Sequence, residues 1–168
     1  DRVQRLVLKA AELPDAAAKP LGAAEKELNY ARNYAIKQIT RDVENFSFNT
    51  AVARLMEYVN ALYKYDGQAQ KDEGFLKEST CDLLLLIAPF APHFAEELWE
   101  RFGGKYSVFD QRYPVCDESA LVREETEYAV QVNSKIKTKM MISKNSSQEE
   151  IREAVLADDA IRPLVEGK

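Results

Sequence analysis

A single histidine and two cysteines in 168 residues leave little material for catalysis or metal binding. With only His93 available, no Ser-His-Asp relay can be assembled without a second well-placed partner for it. A lone histidine beside Phe94 at a helix start reads as a packing or capping residue. Cys81 and Cys116 lie far apart with no His or Cys at ligand spacing, so no metal site is expected. Both are expected as reduced thiols, with Cys81 buried in a helix. No glycine-rich phosphate loop follows a strand. No apolar run approaches the ~20 residues of a membrane span, so no membrane partner is expected. A secretory leader is missing, and so is an initiator methionine at Asp1, where a helical pattern is already under way. The expectation is a piece of something longer.

What is present is the composition of a soluble globular protein, 46% hydrophobic and 30% charged. The net charge of −5 conceals a division. Residues 1–65 carry ten Lys/Arg against eight acids, 66–128 carry six against fourteen, and 129–168 carry seven against six. Any nucleic acid should therefore avoid the middle third. Lys135, Lys137, Lys139 and Lys144 follow one another with no acid between them, a local basic stripe.

The periodicity predicts a bundle of about five helices. Val3, Leu6, Val7, Ala10 and Leu13 recur at helical steps until Pro14, and 15–20 is a loop. A long helix over about 21–44 aligns Leu28, Ala31, Ala35, Ile39 and Val43. Asn45 is expected to take the left-handed stop, and the Ser47 side chain to cap the next helix. That helix, reaching about Tyr65, carries Phe48, Val52, Leu55, Met56, Val59 and Leu62 on its stripe. A short link between two long helices makes them antiparallel. Helices over 72–88 and 92–102 follow; Pro89 stops the first, Pro92 opens the second, and Gly103 stands where a left-handed stop belongs. Beyond it, Val108-Phe109 reads as briefly extended. Residues 128–133 and 136–142 read as a hairpin around Asn133-Ser134. Ser147 with Glu150 matches a capping box ahead of a short helix. The fold class expected is mainly α: a bundle over 1–125, with a connector from about 104, then a small β-β-α appendage over 126–168. Two strands and one short helix bury too little to stand alone, so the appendage is expected to be truncated.

Several constellations have bland readings. Glu96 and Glu97 are adjacent, so their side chains diverge by about 100° and form no acid/base pair. Trp99 offers a face on which a base could stack, yet its place beside Leu98 after a core block favours packing. On an ideal strand Lys135, Lys137 and Lys139 share one face while Ile136 and Met140 share the other, which makes a polyanion-binding row or a guarded strand edge. Tyr30, Arg32, Tyr34 and Lys37 on one helix, with Arg54, Tyr58, Tyr63, Lys64 and Tyr65 on the next, mix cations and aromatics as RNA-binding surfaces do.

Two stretches resemble a known family. Asn49-Thr-Ala-Val-Ala-Arg-Leu-Met-Glu-Tyr-Val-Asn60 and Ala88-Pro-Phe-Ala-Pro-His-Phe-Ala-Glu-Glu-Leu-Trp99 are similar to the anticodon-binding helical domain of class I aminoacyl-tRNA synthetases of the leucine, isoleucine and valine group. Pro92-His93, and above all Val130-Gln-Val-Asn-Ser-Lys135, resemble the leucyl branch. The resemblance covers nearly the whole chain. It departs at Ser134, Lys137, Tyr113 and Asn33, where the family usually has Gly, Arg, Trp and often His. The family's two ATP-binding signatures are not in this sequence, and Lys139-Met-Met-Ile-Ser-Lys144 is not one of them, because it sits in a strand-like hairpin far past the bundle.

The resemblance implies a non-catalytic part of a cytoplasmic, monomeric enzyme that joins leucine to tRNA(Leu) with ATP and magnesium, its catalytic and editing domains lying elsewhere. No cofactor is expected in this stretch itself. The bundle would contact the inner side of the tRNA, and the terminal domain its elbow or long variable arm. Candidate tRNA contacts are Arg32, Lys37, Arg41, Lys64, Asn133, Lys135, Lys137 and Lys139. Two alternatives remain: an isoleucyl or valyl enzyme, whose bundle engages the anticodon, and a helical protein-interaction module with no RNA partner, favoured by the acidic middle third.

Overall fold

The computed structural model describes residues 1–17, 19–122, 125–132, 135–143 and 148–157, which fall into two compact units, Asp1–Leu121 and Val122–Lys168. The first unit holds α1 (Arg2–Ala11), α2 (Ala23–Glu44), α3 (Phe48–Asp66), α4 (Glu73–Ile87) and α5 (Pro92–Phe102), followed by short 3-10 turns at Val108–Asp110 and Glu118–Leu121. The expected helical bundle is there.

Its helices begin and end for local reasons. Asp1 accepts from the Gln4 amide at the start of α1, and Asp72 accepts from the Phe75 amide at the start of α4. Pro92 opens α5, and Gly103 closes it at φ +88. Between α2 and α3 the expectation fails in two respects. Asn45 is not left-handed; Phe46 is, at φ +56. The amides of Phe46 and Ser47 donate to the carbonyls of Val43 and Asp42, the paired bonds that end a helix with a left-handed residue. Asn45 instead donates through its side chain to the Arg41 carbonyl at 2.7 Å. The Ser47 side chain makes no cap, and only its carbonyl receives the Thr50 and Ala51 amides. Val108-Phe109 is likewise not extended, because Ser107 and Asp110 cap each other around a 3-10 turn.

Helices α2 and α3 run antiparallel: Lys64 reaches Glu27 at one end, while Arg54 lies over the Tyr34 ring further along. Helix α4 is the most enclosed, burying Leu83, Leu84, Leu86 and Ile87, and Tyr58 from α3 donates to the Ser79 carbonyl on it at 2.8 Å. Helix α1 packs on α4 and α5. The predicted stripe on α3 is partly rotated. Ala51, Tyr58 and Tyr65 join Leu55, Val59 and Leu62 in the core, whereas Phe48, Val52 and Met56 are nearly half exposed. An aromatic hydroxyl that finds a carbonyl partner lets Tyr58 displace a smaller apolar residue from the core face. Cys81 is only partly buried. Burial pushes its thiol up to about 11, with the charge of Asp82 adding to the effect, so it stays protonated and unreactive.

Asp66, at the end of α3, accepts from Lys9 and Lys71 at 2.7 and 2.8 Å. Burial pushes its carboxyl up, but the two lysines outweigh that and hold it below the usual carboxylate value. A lowered folded-state pKa contributes stability that is present above the unfolded pKa and lost as pH falls through the folded one. Asp66→Asn is therefore expected to flatten the acid limb of the stability curve below about pH 4, as read by urea melts between pH 2 and 6. An unchanged limb would contradict the assignment.

In the second unit β1 (Glu125–Val132) pairs antiparallel with β2 (Lys135–Ser143), and α6 (Gln148–Ala157) follows. Both predicted strands are present and longer than expected. Asn133-Ser134 and Ser147 lie outside the described residues.

Candidate nucleic-acid interface

A helix places residues at steps of 100°, so Lys26, Tyr30, Tyr34, Lys37 and Arg41 fall within an arc of about 80° and span about 22 Å along α2. None of the five is buried, and the three cations are exposed. The Tyr30 and Tyr34 rings stack, with centroids 6.1 Å apart and planes at 9°. Arg54 from α3 lies 5.7 Å over the Tyr34 centroid. The result is one face on which two stacked rings sit between cations.

The candidate cations differ in what already holds them. Arg32 lies on the opposite side of α2, where its Nε donates to Asp82 at 2.5 Å and its Nη2 to Glu78 at 2.9 Å. Its side chain is 17% exposed and that of Asp82 14%. Burial works against the guanidinium charge, but Asp82 and Glu78 outweigh it and raise the pKa further above its ordinary value. Arg32 is thus committed to joining α2 to α4. Lys37 bonds Glu118 at 2.8 Å and Lys64 bonds Glu27 at 2.8 Å, with all four side chains well exposed. Exposed pairs of this kind are worth about 0–1 kcal/mol, so either lysine can exchange its carboxylate for a phosphate. Arg41 makes no ion pair among the described residues, and neither does Lys26. Lys26 was missed in the sequence, although it stands eleven residues before Lys37 and fifteen before Arg41, the same helical phase.

Asn33 explains why Glu118 comes to Lys37. Only 5% exposed, it donates to the Asn29 carbonyl at 2.9 Å and accepts from the Asp117 amide at 2.7 Å, which ties the connector to the middle of α2. In the second unit Lys135 pairs with Val132 and Lys139 with Ala129, while a register shift leaves Lys137 without an opposite residue. The uninterrupted alternation expected through the three lysines is therefore broken at the backbone. Asn133 lies outside the described residues.

Other features do not make a site. Trp99 is 7% exposed and stacks on Phe102, as its packing reading predicted. A cleft of about 530 Å³ beside His93 and Trp99 is lined by Glu96, Glu97 and Glu100, the wrong charge for RNA. Among the described residues no group of three or more His, Cys, Asp or Glu could hold a metal ion, and no helix is long and apolar enough to cross a membrane.

Comparison with known proteins gives the family. The family described as anticodon-binding domain of tRNA ligase matches residues 25–153. The chain belongs to that family. Relatives of this anticodon-binding domain include the leucine–tRNA ligase of Clostridium kluyveri, 49% identical over all of the chain and 21% of that protein. That of Caldanaerobacter subterraneus subsp. tengcongensis is 44% identical, again over all of the chain and 21% of the protein. A crystal structure of an Agrobacterium radiobacter K84 LeuRS in ternary complex with tRNA and LeuAMS superposes with a TM-score of 0.74 at 32% identity, covering 97% of this chain and 21% of that one. The anticodon-binding domain thus spans about a fifth of the length of the curated relatives it matches. Those relatives are leucine enzymes, not isoleucine or valine ones.

Proposed function

We propose that this chain is the tRNA-binding portion of a leucine–tRNA ligase, with residues 1–125 as the helical bundle and 126–168 as the start of the terminal α/β domain. The face of α2 carries the reading: three exposed cations and two stacked tyrosines in one helical phase, two of the cations without an acid partner among the described residues. Lys26, Lys37 and Arg41 contact phosphates on the inner side of tRNA(Leu), with Lys64 from α3, while Asn133, Lys135, Lys137 and Lys139 serve the terminal domain. Such contacts position the RNA without reading its sequence. The attachment of leucine belongs to the rest of a monomeric, cytoplasmic parent enzyme, together with ATP, its magnesium and editing. The residues described here do not fit those groups, since no carboxylate cluster could hold the metal and neither ATP signature occurs in the sequence.

Filter binding of the chain to a tRNA(Leu) transcript between 50 and 200 mM salt tests this. Log affinity is expected to fall linearly with log salt, and Arg41→Ala to reduce the slope by about 0.9, the share of one phosphate contact. No salt-dependent binding at low ionic strength would overturn the proposal. It would favour the module without RNA, whose docking face would be Phe48, Val52 and Met56.

A further inference from the structure

The chain ends two helices with the same pair of hydrogen bonds and fills the left-handed position differently. After α5 it uses Gly103; after α2 it uses Phe46, at φ +56. A residue with a Cβ is strained in this region, where glycine is at ease. Phe46 is moreover 79% exposed, so burial does not compensate. Phe46 is unfavourable for stability on both counts. Its ring meets Phe48 edge-on at 6.1 Å and 86°, and Phe48 meets Phe90 at 6.0 Å and 81°. The cluster is thus anchored in the bundle while its outermost ring keeps open aromatic surface in solvent.

We propose that Phe46 is a stacking platform for one unpaired base of the tRNA. This rests on the RNA-binding reading above and extends it by a site and a ligand class. Arg41, free of acid partners among the described residues, lies on the last turn of α2, five residues before Phe46. The helix C-terminus carries partial negative charge and Glu44 is exposed beside it, so this end is unsuited to a phosphate. A base presents an uncharged π-face, which an exposed phenyl ring holds without sequence preference. The same structure makes stability and binding pull apart at one residue.

Phe46→Gly is expected to raise the melting temperature of the chain by about 2–4 °C through loss of the strain. The same change is expected to weaken tRNA(Leu) binding by about tenfold. Phe46→Trp should retain affinity. In a Trp99→Phe background its emission should be quenched by an unstructured 12-nucleotide RNA and not by a blunt duplex of equal length. If wild type shows no salt-dependent tRNA binding, the RNA-binding reading itself falls. If wild type binds and Phe46→Gly binds equally well, only the platform is refuted. Equal tRNA affinity with a lowered melting temperature in the full-length enzyme would assign the ring to a protein contact instead, and refute the platform also.

Discussion

Asp82→Ala is expected to destabilise the bundle by about 3 kcal/mol, the scale for breaking an enclosed ion pair by removing one partner. The loss comes less from the missing attraction than from what stays behind. Arg32 is always charged, its side chain is 17% exposed, and without Asp82 it would keep only Glu78, which is 48% exposed. Burial pushes the Asp82 carboxyl up from its ordinary value, with Arg32 opposing and Glu78 adding to the rise. The aspartate is held charged at some expense and is there for the guanidinium. Two further variants separate this account from simple loss of packing. Asp82→Asn keeps the volume and should still lose much of the stability. The double change Arg32→Met with Asp82→Leu removes both charges and should recover most of it. Urea melts of the single and double variants measure all three. A double variant as unstable as the alanine variant would show that shape, not charge, is what the pair supplies. Arg32 variants should in addition leave the salt slope of tRNA binding unchanged, unlike Arg41→Ala.

An effect of similar size is expected from one methyl group. A Cβ at Gly104 would stand 2.1 Å from Cε2 and 2.3 Å from Nε1 of Trp99. The contact is with a rigid ring system, so a small shift cannot relieve it. The indole stacks on Phe102 with centroids 6.4 Å apart, and its Nε1 donates to the Lys105 carbonyl at 3.4 Å. Gly104→Ala must therefore expel the ring or displace the turn after α5. Overpacking costs about 1–3 kcal/mol, and loss of a packed tryptophan about 3–5, so about 3 kcal/mol is the expected outcome. Trp99 is the only tryptophan, and its emission reports directly: Gly104→Ala should shift it to longer wavelength. Trp99→Phe in the same chain should restore part of the lost stability, because the smaller ring leaves room for the methyl. Unshifted emission would mean that the turn, and not the indole, gives way.

The bundle was legible in the sequence because its signals are local and redundant. Pro14, Pro89, Pro92 and Gly103 fix helix ends by backbone sterics alone, and the apolar block 83–87 could only be core. Where two residues competed for one role, the sequence did not decide. Asn45 and Phe46 were both available for the left-handed stop, and propensity favours the residue that the structure does not use. On α3, counting apolar residues selected Val52 and Met56, while the structure buries Tyr58 and Tyr65, whose hydroxyls find partners 21 and 40 residues away in sequence. The candidate cations show the same limit. Charge alone did not separate Arg32, paired across to α4, from Arg41, since that pairing depends on Asp82 fifty residues later. Helical phase would have separated them and would have added Lys26.

The packing of α1 on α4 and α5 also sets an order of events during synthesis. The apolar side of α1, with Leu6, Val7 and Ala10, leaves the ribosome before the rest of the bundle, and the partner that completes its cover ends about 90 residues later at Phe102. At translation speeds of about 5–20 residues per second, that side waits roughly 5–20 s for α5. Helices α2 and α3, neighbours in sequence, can pair during that interval. Helix α1 is therefore made before α2 and α3 yet docks after they can pair, and its apolar side stays open to proteases and holding chaperones in that interval.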